Sequence, residues 1–126
     1  MSQFKIGSIG WMDLTVQNAP QIRDFYRSVV GWGFDEVSMG DYADFSMKPA
    51  GADTPVTGIC HARGTNADIP PQWLIYITVA DLDASLMRCK ELGGVALTDI
   101  KDMGGRMCVI RDPAGAVVAL YEPKGS

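Results

Sequence analysis

Ser8-Ile9-Gly10-Trp11-Met12-Asp13-Leu14-Thr15-Val16 decides how this chain is read, because the stretch has an echo. Sixty-three residues on stands Trp73-Leu74-Ile75-Tyr76-Ile77-Thr78-Val79, where Met12, Leu14, Thr15 and Val16 fall on Ile75, Ile77, Thr78 and Val79. In the first copy Met12, Leu14 and Val16 are apolar and Asp13 and Thr15 polar, the alternation of a strand with one face on a core. Each copy runs into a helical pattern that stops at glycine, at Val30-Gly31-Trp32 and at Leu92-Gly93-Gly94. A strand-then-helix unit that occurs twice predicts two related modules.

Working outward, Asn18 is placed to cap the first helix and Pro20 suits its first turn. Ala19, Ile22, Tyr26 and Val29 recur at helical spacing with Phe25 beside them, and Gly31 supplies the stop. Upstream, Phe4 and Ile6 are candidates to extend the first strand. Downstream, strands are expected at Phe34–Met39, Asp41–Lys48 and Val56–Ala62. Arg63–Pro71, with two glycine or asparagine breaks and two prolines, reads as a linker. The second half repeats the plan: a strand at Trp73–Val79, a cap at Asp81, and a helix with Leu82, Leu86, Cys89 and Leu92 on its apolar face. Strands at Val95–Leu97, Arg106–Arg111 and Ala116–Tyr121 follow, the last two joined by a tight turn at Asp112-Pro113-Ala114-Gly115. The predicted fold class is α+β: one domain over 1–126 holding two tandem βαβββ modules, about 7–62 and 73–123, with a linker at 63–72.

At 126 residues the chain is long enough to bury roughly two-thirds of its unfolded surface. Apolar residues make up 47% and the net charge is −4, an ordinary globule without the basic face that nucleic acid or an anionic membrane requires. No apolar run approaches the roughly 20 residues of a bilayer span. Cys60, Cys89 and Cys108 are odd in number and form no C-x-x-C pair, and the start carries no secretory pattern, so a reducing cytoplasm is the expected compartment. The seven methionines read as soft core filler.

Asp24-Phe25-Tyr26 followed by Val30-Gly31-Trp32 resembles a signature of the vicinal-oxygen-chelate superfamily, the glyoxalase, bleomycin-resistance protein and extradiol dioxygenase type. Leu92-Gly93-Gly94 and Asp112-Pro113-Ala114-Gly115 are similar to its second-half signatures, and the resemblance runs from Ile9 to Pro123. It implies paired βαβββ modules whose curved sheet encloses a cup, often within a homodimer. It also implies a divalent metal held by His, Gln or Glu, which chelates neighbouring substrate oxygens as a Lewis acid. Carried onto this chain, the ligand positions fall on Trp11, Gly58, Leu74 and Ala119, none of which binds a metal through its side chain. A slip of one residue offers nothing better; a slip of two reaches Asp13, Cys60, Tyr76 and Tyr121, an unusual mixture of hard and soft donors. The expected cofactor is therefore none.

Within the implied cup, strand parity points Trp11, Asp13, Thr15, Leu74, Tyr76 and Thr78 inward, joined by Gly58, Cys60, Ala119 and Tyr121. Pairing across the Asp112–Gly115 turn sets Cys108 opposite Ala119, also inward, unless a bulge intervenes. The candidate ligand-binding set is Trp11, Asp13, Cys60, Leu74, Tyr76, Cys108 and Tyr121. Asp13 is the candidate catalytic residue, a carboxylate among aromatics that serves as general base or receives a cationic group; the plainer reading is a solvated Asp at a seam or salt bridge. Cys60 and Cys108 are soft contacts or ordinary buried thiols. His61, the single histidine, is a structural side chain or a base. Arg106 is a cover for an anionic group or part of a flexible turn, and Trp73 and Trp32 are rim or interface aromatics, Trp32 packing the helix end. Three functions remain open: metal-independent binding of a small organic molecule, an enzyme of lyase, isomerase or dioxygenase type using Asp13 or an atypical metal site, and a degenerate interaction module.

Overall fold

A computed structural model describes residues 5–125, and its chain divides into two compact units, Met12–Trp73 and Leu74 onward with the residues up to Trp11. The alternation at the opening stretch forms β1 (Ile9–Val16). Phe4 lies outside the described residues. Ile6 does not extend the strand: it sits in a turn where Ser8 N–H donates to Lys5 O at 2.9 Å and Gly7 adopts φ +86°.

In the unit Met12–Trp73, β1 is followed by α1 (Ala19–Val30), β2 (Gly33–Ser38), β3 (Ala43–Lys48) and β4 (Thr57–His61). The strand order is β2-β3-β4-β1, antiparallel except that β1 runs parallel to β4 with Asp13 opposite Gly58 and Thr15 opposite Cys60. Leu14, Val16, Phe45, Met47 and Ile59 close on Ala19, Ile22 and Tyr26 of the helix, so the intervening Asp13, Thr15, Gly58 and Cys60 take the opposite face. Gly31 ends α1 at φ +78°, donating its N–H to Arg27 O, a left-handed stop that glycine adopts without steric cost. Asn18 makes no side-chain cap; its amide is spent on Gln21 Oε1 at 3.1 Å. Trp73 is likewise not a rim residue. Its Nε1 donates to the Tyr26 hydroxyl at 3.0 Å, and its ring meets Tyr26 and Trp32 edge-on within this core. Residues 63–72 belong to the same unit, with a 3-10 turn at Gly64–Asn66 and a buried Ile69.

The other unit holds β5 (Trp73–Thr78) from Leu74 on, α2 (Leu82–Glu91), β6 (Val95–Ala96), β7 (Lys101–Met103), β8 (Gly105–Arg111) and β9 (Val117–Glu122). Its order is β5-β9-β8-β6, with β5 parallel to β9 and β7 hairpinned onto β8. Apart from β7, this is the path β1-β4-β3-β2 repeated. The α+β class and the duplication are present as predicted. Asp81 caps α2, its Oδ1 accepting from Ala84 N–H at 3.1 Å, while Leu92 is exposed just past the helix instead of lying on its apolar face.

The β8–β9 turn corrects one prediction. Asp112 N–H donates to Ala116 O at 2.8 Å, Gly115 adopts φ +90°, and the Asp112 carboxylate accepts from both Ala114 and Ala116 N–H. The connection is one residue longer than a four-residue turn, so Arg111 pairs with Val117 and Cys108 pairs with Leu120, not Ala119. That single step turns Cys108 onto the α2 side, where it packs with Leu82, Ile110 and Leu120 and donates its thiol to Thr98 O at 3.2 Å.

Candidate functional site

Four strands of the unit containing Leu74 onward build one cavity. Gly10 and Trp11 come from the start of β1, Tyr76 and Thr78 from β5, Met103 from β7 and Tyr121 from β9. Alternation places Tyr76 and Thr78 on the face opposite Ile77, which packs toward α2. Register then sets Thr78 beside Tyr121 across the β5–β9 pair. The cavity encloses about 170 Å³. Its lining residues are Trp11, Tyr76 and Tyr121 with Gly10, Thr78 and Met103, none of which carries a charged side chain. Such a surface suits a small, largely apolar molecule held by a few polar contacts.

Two local features fix this wall. Gly105, which opens β8, lies so close to β9 that a Cβ there would stand 2.2 Å from the Glu122 carbonyl oxygen and 2.8 Å from the Tyr121 hydroxyl. Only glycine lets the backbone pass beneath the Tyr121 ring. Thr78 is 1% exposed, and its Oγ1 has no hydrogen-bond partner among the described residues, although buried hydroxyls ordinarily find one.

Of the seven predicted ligand-binding residues, the structure brings Trp11, Tyr76 and Tyr121 together at this cavity. Leu74 is fully buried and does not line it. Cys108 faces α2, as described. Asp13 and Cys60 belong to the unit Met12–Trp73. There a Cβ on Gly58 would lie 3.7 Å from both Asp13 Cβ and Cys60 Sγ, so the three share one face. Asp13 is 6% exposed. Burial pushes the Cys60 thiol far up, and the neighbouring Asp13 and Asp44 carboxylates add to the shift. Cys60 is thus a protonated thiol at neutral pH and no nucleophile. Met103 was not foreseen as a cavity residue, because β7 is too short to show alternation; the signal available was the glycine pair that follows it.

The other candidates are engaged in structure. Asp44 Oδ1 accepts from His61 N–H at 2.8 Å and lies 3.1 Å from His61 Nδ1, tying the ring to the end of β4 beside Tyr42. Arg106 donates to Glu122 at 3.2 and 3.1 Å and to Asp83 at 3.0 Å. Those carboxylates, Glu122 first, raise its pKa. Glu122 also accepts from Leu82 N–H at 2.9 Å, so the start of α2 is satisfied by two carboxylates and Arg106 is engaged with both Glu122 and Asp83.

A metal does not fit the family positions. Trp11 offers only an indole donor, Gly58 no side chain, and Leu74 and Ala119 are buried hydrocarbon at 1% and 0% exposure. No group of three His, Cys, Asp or Glu able to hold an ion occurs among the described residues, and the slipped set would draw on a Cys60 thiol that burial keeps protonated.

The sequence matches the family model of the Glyoxalase/Bleomycin resistance protein/Dioxygenase superfamily over residues 8–120. It is 32% identical over 124 residues to "Putative glyoxylase CFP32" of Mycobacterium tuberculosis, covering 96% of this chain and 48% of that protein. It is 33% identical over 134 residues to the anthracycline biosynthesis protein DnrV of Streptomyces peucetius, covering 96% and 49%. The chain spans about half the length of the curated relatives it matches. Among solved structures, methylmalonyl-CoA epimerase from Mycobacterium tuberculosis superposes with a TM-score of 0.54 at 16% identity, covering 98% of this chain and 92% of that one. A methylmalonyl-CoA epimerase in complex with methylmalonyl-CoA and NH4+ gives 0.55 at 16% identity, covering 96% and 97%. At such identity the likeness is one of fold.

Proposed function

The chain belongs to the Glyoxalase/Bleomycin resistance protein/Dioxygenase superfamily, and we propose that it binds a small organic molecule, without a metal, in the cavity walled by Trp11, Tyr76 and Tyr121. The observation that carries this reading is the convergence of those rings and Met103, from four separate strands, on about 170 Å³ of charge-free space. Aromatic residues are costly to hold half-exposed around a concavity, and Trp11 remains 38% exposed at its edge. The lack of a metal-ligating side chain at Trp11, Gly58, Leu74 and Ala119 supports metal independence. Thermal-shift screening of small aromatic compounds after dialysis against a chelator tests both parts. A ligand at 100 times its Kd adds about 2.7 kcal/mol to stability, and Trp11→Ala is expected to abolish the shift. No shift from any compound would overturn the binding reading, and a shift that appears only when divalent ion is restored would overturn its metal-free part.

One observation favours a second reading, that of an enzyme. Asp13 is a buried carboxylate of β1 on the sheet face that also carries Gly58 and Cys60 of β4, where it would serve as an acid–base group. Replacement of Asp13 by Asn, with turnover and affinity measured separately, decides between the two.

A further inference from the structure

We propose that the unit Met12–Trp73 carries a second binding site, set between the end of β1 and the segment 67–71, and that it takes the ammonium group of a small aliphatic amine. The site shares no lining residue with the cavity walled by Trp11, Tyr76 and Tyr121, so the two readings stand or fall separately.

Place comes first. Leu14 and Val16 pack toward α1, so alternation turns Thr15 to the opposite face. There Thr15, Asn18, Asp68, Ile69, Pro70 and Pro71 are among the residues lining a cavity of about 460 Å³, within the roughly 300–1,000 Å³ of small-molecule sites. Thr15 and Ile69 are buried, at 4% and 5% exposure, while Asp68 is exposed. Charge comes second. Asp68 is the one charged side chain of the lining. His61 and Arg63, the basic groups next along the chain, face Asp44 and Asp41 at 3.1 and 3.8 Å and do not line it. The strands behind are acidic as well. Burial first, then the charges of Asp13 and Asp44, push up the thiol of Cys60, the residue paired with Thr15 across β1 and β4. Such a wall draws a cation and repels an anion. Donor count comes third. A primary ammonium carries three N–H donors, and the lining offers three kinds of oxygen: the Asp68 carboxylate, the Thr15 hydroxyl and Asn18 Oδ1. The Asn18 amide nitrogen donates to Gln21 Oε1 at 3.1 Å, which leaves Oδ1 to accept. A quaternary ammonium has no donor and is held by aromatic faces, of which this lining has none. Ile69, Pro70 and Pro71 supply hydrocarbon for the alkyl part.

The test titrates butylammonium, butanol and butyrate, which share one carbon chain, into isotope-labelled protein and follows the backbone amides by NMR. Butylammonium is expected to shift the amides of Thr15, Asn18 and Asp68 and to bind more tightly than butanol, with butyrate weakest. Asp68→Asn is expected to weaken butylammonium about fivefold, as loss of one exposed ion pair does, and to leave butanol unchanged. Ala67→Lys, at an exposed lining position, places a fixed ammonium beside the same oxygens and is expected to reverse the order of butylammonium and butyrate. Equal affinity for butylammonium and butanol overturns the inference. So does binding that shifts only amides elsewhere in the chain, or no binding of butylammonium at millimolar concentration. Should Asp68→Asn disturb the segment 67–71, Ala67→Lys decides: an unchanged order of the three compounds in that variant overturns the inference as well.

Discussion

Asp13 and Tyr76 occupy corresponding places in the two copies of the opening motif, yet their surroundings differ. Tyr76 lines the cavity with Trp11 and Tyr121; Asp13 shares a face with Gly58 and Cys60 in the other unit and is not among the lining residues. Asp13→Asn keeps the shape and removes the charge. On the binding reading it leaves the affinity of a cavity ligand within about threefold, less than the cost of one lost hydrogen bond. A loss of turnover of about 100-fold or more, with affinity intact, would instead mark Asp13 as an acid–base group. Which face each of these residues takes was legible in the sequence, because a strand's two-residue period leaves one choice once Leu14 and Val16 are assigned to the core. Cys108 was not, since the Asp112–Ala116 connection shifts the register by one residue and a shift of one reverses the face. Nor was the state of Thr78: an unmet hydroxyl is a property of everything around it, which no local pattern records.

At the scale of elements, the start of α2 is the clearest case of an end secured from elsewhere in the chain. Asp81 was readable as its cap, and the structure shows that bond. The second carboxylate comes from Glu122, forty residues on, and is itself held by Arg106. Such a partner is invisible until β9 is laid beside β5. The short β7 was equally invisible, because Lys101-Asp102-Met103 has no periodicity and exists through its pairing with β8. The Arg106 guanidinium first, and the Leu82 N–H second, hold the Glu122 carboxyl below its ordinary value. The unfolded chain therefore binds a proton at Glu122 more readily than the folded one, and the contribution is complete above the unfolded carboxyl pKa and lost as pH falls through the lower folded value. Glu122→Gln keeps an oxygen for Leu82 and removes the charge. It is expected to lower the urea midpoint at pH 7 and to flatten the decline between pH 5 and pH 3. An unchanged acid limb would show that Glu122 titrates alike in the folded and unfolded chains.

For the whole molecule, the duplicated path β1-β4-β3-β2 and β5-β9-β8-β6 followed from one offset in the sequence, while the chain's assembly did not. No described helix is long and apolar enough to cross a membrane, yet α1 leaves Phe25 and Val29, one turn apart, 54% and 60% exposed. The chain spans about half the length of the curated relatives it matches. From the exposed Phe25 and Val29 we propose a homodimer that covers this face of α1. A stable interface removes roughly 1,200–2,000 Å² from solvent, and an aromatic anchor near its centre carries a large share of the energy. Sedimentation equilibrium at micromolar concentration is expected to return twice the 13.6 kDa of one chain. Phe25→Glu, which places a charge where the ring is already solvent-exposed in the single chain, should leave the fold intact and shift the equilibrium to monomer by at least tenfold, because burying that charge in an interface costs more than burying the ring returns. A wild-type chain that sediments as a monomer removes the dimer altogether; a dimer indifferent to Phe25→Glu moves the interface away from α1.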